Sequence, residues 1–64
     1  MALTPLEREV LAVLRERGEV TLEELLRITN TDAKVLLRVV GSLWLRGVVE
    51  LDFTRPPPER RLLS

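Results

Sequence analysis

One stretch of this chain leaves little freedom in what it can become. Thr21 to Glu50 reads TLEELLRITNTDAKVLLRVVGSLWLRGVVE and carries its own start and stop signals. Thr21, followed three residues later by Glu24, is a capping box. The threonine oxygen accepts from an early helical N–H, and the glutamate accepts from the threonine's own N–H. Leu22, Leu25, Leu26 and Ile28 then share an apolar face, with Glu23, Glu24 and Arg27 outside. Ile28-Thr29-Asn30-Thr31-Asp32 breaks that period with side chains that compete for helical hydrogen bonds and favour turns. Asp32 is an N-cap whose charge suits the positive end of a helix dipole, so a second helix is predicted from Ala33 to Arg46. Gly47 is its left-handed terminator, with Arg46 favourable beside the last carbonyls.

The flanking segments obey the same local rules. After a short apolar lead-in from Met1 to Leu3, Thr4-Pro5-Leu6-Glu7 is another capping box. Its proline sits at the first helical position, where a missing N–H costs nothing. Leu6, Val10, Leu11, Val13 and Leu14 form the buried face of a helix ending near Arg17 and terminated by Gly18. Glu7, Arg8, Glu9, Arg15 and Glu16 are read as its solvated side. Val48 to Phe53 is a strand by β-branched content and alternation, with Val49, Leu51 and Phe53 on one face and Glu50 and Asp52 on the other. Thr54 to Glu59 holds three consecutive prolines and is excluded from a sheet, leaving a stiff extended tip. Arg60 to Ser64 is the return strand, with Leu62 or Leu63 on the core.

Helix, short turn, helix, glycine and a β-branched pair together resemble the helix-turn-helix of the winged-helix superfamily, as in small bacterial or archaeal domains. In that superfamily a leucine four residues before a glycine closes the second helix of the motif, and an apolar pair opens the wing. Leu43, Gly47 and Val48-Val49 hold those places here. The resemblance implies an α+β, mostly α fold: a three-helix winged helix-turn-helix with a two- to three-stranded β wing, one domain over residues 1–64. It also implies a minimal strand at Glu19-Val20-Thr21, paired with the wing, with Val20 inward.

Composition narrows the functional classes. At 64 residues the chain buries only about 60% of its unfolded surface, so its core is dense or shared with a second chain. Ten basic residues balance ten acidic ones, against the basic excess usual in a stand-alone nucleic-acid binder. With no Cys and no His, thiol nucleophiles, disulfides, zinc sites and imidazole bases are all excluded. The carboxylates have no partner base, no metal-ligand spacing and no glycine-rich phosphate loop beside them, so no catalytic residue, metal or cofactor is expected. No signal peptide or membrane span is visible, which points to the cytoplasm. Nine arginines to one lysine, and four prolines, are compatible with a thermophile.

Two residue sets could carry function, and they lie on the same helix. Leu36, Val39, Val40 and Leu43 make its inward stripe, while Lys34, Arg38 and Ser42 are polar outward positions. By the resemblance, Lys34 and Arg38 face a major groove and Arg55, at the wing tip, reaches the backbone or the minor groove. Arg46, Arg60 and Arg61 complete the candidate phosphate contacts; the alternative for all six is surface solubility and local ion pairing. No Asn, Gln or Arg cluster stands on the first two turns to read bases, where Ala33, Val35 and Leu37 stand instead.

Leu37, Gly41, Trp44 and Leu45 form the second set, an apolar stripe on the far side at i, i+4, i+7 and i+8. Unless the helical register differs by one residue and the stripe is core, it is a protein contact surface. Two functions follow. The resemblance points to a small DNA-binding transcriptional regulator acting as a dimer on duplex DNA. The neutral charge and the apolar stripe point to a protein-interaction winged helix, docking a partner or itself.

Overall fold

The computed structural model describes residues 3–63. Met1, Ala2 and Ser64, assigned above to the lead-in and the last strand, lie outside them. The elements run α1 (Pro5–Arg17), β1 (Glu19–Thr21), α2 (Leu22–Thr29), α3 (Ala33–Leu45), β2 (Glu50–Leu51), a 3-10 turn (Pro57–Glu59) and β3 (Arg61–Leu63). The fold is thus α+β and mostly α, three helices with a small antiparallel wing.

Local chemistry sets the helix ends. The hydroxyl of Thr4 accepts from the Glu7 N–H and that of Thr21 from the Glu24 N–H, and each glutamate accepts in return from its threonine's N–H. Asp32 accepts from the Lys34 N–H at 3.2 Å. Gly18 (φ 82°) and Gly47 (φ 74°) leave their helices in backbone conformations that a side chain strongly disfavours. Asn30 turns the chain between α2 and α3 in the left-handed region (φ 50°, ψ 48°), a conformation that Asn tolerates better than most residues.

The three strands form one sheet in the order β1-β3-β2, both pairs antiparallel. Leu62, opposite Val20 on one side and Leu51 on the other, is the inward residue of the central strand; the register settles Leu62 over Leu63. Val10 and Leu14 of α1, Leu22 and Leu25 of α2, and Leu36, Val40 and Leu43 of α3 close on Val20, Val49 and Leu62, none more than 5% exposed. Burying each such side chain contributes about 1.5–3 kcal/mol, the main favourable term a domain of this size has. The N–H of Leu22 donates to the Arg60 carbonyl at 3.0 Å, which ties the return of the wing to the first turn of α2.

Three expectations are corrected. β2 covers only Glu50–Leu51: at its start the Val48 N–H still donates to the Leu43 carbonyl at the helix end, and past Leu51 the Asp52 carboxylate accepts from the N–H and the hydroxyl of Thr54, a side-chain turn that takes the chain out of extended geometry. Phe53 therefore leaves the inward face it was expected to share with Val49 and Leu51, and stands 54% exposed. The proline tip is not extended throughout, since Pro57–Glu59 closes into a 3-10 turn, with the Arg60 N–H donating to the Pro57 carbonyl. Finally, Glu7 is buried rather than solvated, at 8% exposed. It completes the first capping box and accepts from the Arg46 guanidinium across the molecule.

Candidate functional site

Helix geometry sorts the outer residues of α3. At about 100° per residue, Lys34, Arg38 and Leu45 point most directly away from the core, with Gly41 between them and the wing side. Leu37 and Trp44 lie on the flank toward the wing, and Ser42 and Val35 on the other. Leu37 is 51% exposed, Trp44 42% and Leu45 80%, while Gly41 is half-buried between them. The inward stripe is the expected one, so the far stripe is surface and not misplaced core.

Trp44 is held rather than loose. Its ring meets Phe53 edge-on, with centroids 5.4 Å apart at 66°, and the Arg60 guanidinium lies 4.8 Å from the centre of the Phe53 ring. This Trp44–Phe53–Arg60 stack fastens the wing to the end of α3 while leaving both aromatic rings about half open. Sequence reasoning missed it by placing Phe53 inward; the available signal was Asp52 followed two residues later by a hydroxyl. At the other end of α3, Leu37 borders an apolar groove of about 220 Å³ with Leu22, Leu26, Ala33, Leu36, Pro57 and Pro58. Exposed apolar surface therefore runs along α3 from the proline turn to Phe53.

Gly41 stands in the middle of this run. A β-carbon built there meets nothing within 4 Å, and its φ is not positive. Among the described residues neither crowding nor backbone conformation requires a glycine, yet one in a helix interior costs about 1 kcal/mol relative to Ala.

Of the candidate basic residues, Arg46, Arg60 and Arg61 are drawn into contacts within the chain. Lys34 and Arg38 are exposed one turn apart on α3, with no side-chain partner among the described residues. Arg46 is held by Glu7 and by the Ser42 carbonyl, and Arg61 by Glu19 at 3.0 Å. Arg55 is exposed and lines an open cleft with Glu19, Glu24, Glu59 and Arg61. Arg60 is committed to Phe53, and its Nε is buried without a partner. Ser42 is exposed on the helix surface.

The carboxylates with perturbed acidity act as local structure. Hydrogen bonds from the Thr4 N–H and hydroxyl, and then the Arg46 guanidinium, hold Glu7 below the usual glutamate range. Thr21 does the same for Glu24, and the Thr54 hydroxyl and N–H for Asp52. Each is explained by a turn or cap that it stabilises. No described helix is long and apolar enough to cross a membrane.

Comparison with protein-family models, curated proteins and solved structures gives no match.

Proposed function

We propose that this chain is a non-enzymatic winged helix-turn-helix module whose third helix docks protein rather than reading bases. One observation carries the reading: beside the outward Leu45 and Gly41, the wing-side flank of α3 exposes Leu37 and Trp44. An exposed tryptophan beside aliphatic side chains has the composition of a binding hot spot, and charged side chains are scarce at such centres. The engagement of Arg46, Arg60 and Arg61 within the chain supports it too, since a phosphate-tracking surface needs free cations.

A small duplex-DNA-binding regulator is the second reading, favoured by the unpartnered Lys34 and Arg38 on the outer side of α3. Two phosphate contacts supply little affinity, and the helix has no Asn, Gln or Arg pair to read base edges. Titration of labelled duplex DNA at about 50 mM salt separates the two readings. The protein-docking reading expects weak binding without sequence preference, reduced by Arg38→Ala and indifferent to Leu37→Ala. Tight, sequence-selective binding that Leu37→Ala abolishes would overturn it.

A further inference from the structure

We infer that the protein docked by α3 is a second copy of this chain, packed antiparallel with the two Gly41 residues facing each other across a two-fold axis. The inference rests on the protein-docking reading above and names its partner. The first argument is Gly41 itself. Among the described residues nothing occupies the space where a side chain would be, so an object outside the chain has room to approach the backbone there. Backbone approach without an intervening side chain is what glycine permits at a helix crossing.

The second argument is the symmetry of the pattern about that glycine. Leu37 lies four residues before it, Trp44 and Leu45 three and four after. When two α3 helices cross antiparallel at Gly41, positions equally far from it on opposite sides come together. Leu37 of one copy then meets Trp44 and Leu45 of the other, beside the mouth of the apolar groove that Leu37 borders. Leu45, the most exposed large apolar residue of the described chain at 80%, gains a partner it lacks in the monomer. The interface is isologous: one patch covers itself and closes.

Charge chooses the direction. α3 contains Lys34 and Arg38 and no acidic residue, with both cations on the N-terminal side of Gly41. A parallel pair would set Lys34 against Lys34 and Arg38 against Arg38. Along the axis, at 1.5 Å per residue, the antiparallel pair separates the two Lys34 positions by about 20 Å and the two Arg38 positions by about 9 Å. It also turns each lysine toward the negative end of the other copy's helix dipole. The four apolar side chains Leu37, Trp44, Leu45 and Phe53 leave roughly 400 Å² open per copy, about 800 Å² for two copies, which is below the size of a stable specific interface and fits a weak, transient one. Association in the micromolar range or weaker is the consequence.

The chain has no cysteine, so single thiols placed in it report the geometry directly. Leu37→Cys and Leu45→Cys variants, both at exposed positions, are treated with a short thiol crosslinker separately and mixed. The mixed sample should give a covalent dimer at several times the yield of either variant alone. Wild-type protein should sediment as a reversible dimer at about 500 µM, and Gly41→Leu should weaken that association at least about tenfold. Preferential 37–37 or 45–45 linkage would overturn the antiparallel arrangement. A wild type monomeric at that concentration would overturn the second copy as partner, whereas failure of the protein-docking reading itself appears in the DNA titration.

Discussion

Glu7 and Glu24 show how much structure a short polar motif supports. Each glutamate closes a capping box with a threonine three residues earlier, and each is also drawn into an ion pair, Glu7 with Arg46 and Glu24 with Arg17. Thr21→Ala removes the acceptor for the Glu24 N–H and should cost about 1 kcal/mol, a fall in Tm of roughly 4–8 °C for a domain of this size. A melting temperature unchanged by that substitution would show that the cap does not hold α2. The same contacts fix the acid response. Glu7, Glu24 and Asp52 are all held below their ordinary pKa in the folded chain. Their contribution to stability is therefore complete above the unfolded value and is lost as pH falls through the folded one. Denaturant midpoints should be flat near neutral pH and decline below about pH 4.3, with a shallower decline in Glu24→Gln. A midpoint that rose on acidification would contradict the assignment.

Among the elements, what was legible in the sequence was what is locally encoded. The caps at Thr4, Thr21 and Asp32 and the glycine stops at 18 and 47 act within a few residues of themselves, so the three helices could be placed to within about a residue. The wing was less legible because its geometry depends on distant partners. Asp52 turning onto Thr54 overrides the alternation of Val48 to Phe53, and Phe53 finds its place only against Trp44 and Arg60. Likewise, nothing local to Glu7 announces a partner 39 residues away. The candidate site divides along the same line. The apolar stripe on α3 follows from periodicity, while the dispersal of the arginines among Glu7, Glu19 and Phe53 is a product of tertiary packing. Two glycine substitutions test the elements in opposite directions. Gly47→Val forces a β-branched residue into a positive-φ conformation and should destabilise by more than 1 kcal/mol, of order 1–3. Gly41→Ala meets open space in an ordinary helix and should stabilise the dilute monomer by about 0.5–1 kcal/mol. Chemical denaturation at low micromolar concentration reads both, and a destabilising Gly41→Ala would show that the monomer does need that glycine.

For the whole molecule the issue is what covers the outer side of α3. A chain this small, with ten charges of each sign and much of its arginine engaged internally, has little electrostatic surplus to offer a polyanion. What it does display is half-open aromatic surface beside a glycine that its own fold leaves unexplained. A dimer built through α3 would also hide Lys34 and Arg38, so self-association and any binding of duplex DNA through that helix should compete. Trp44 is the only tryptophan and there is no tyrosine, so its emission reports this face alone. Its emission maximum should lie at long wavelength at about 1 µM protein and move to shorter wavelength toward about 500 µM, with the shift abolished in Gly41→Leu. A maximum that stays constant across that range, or that shifts equally in Gly41→Leu, would contradict the account.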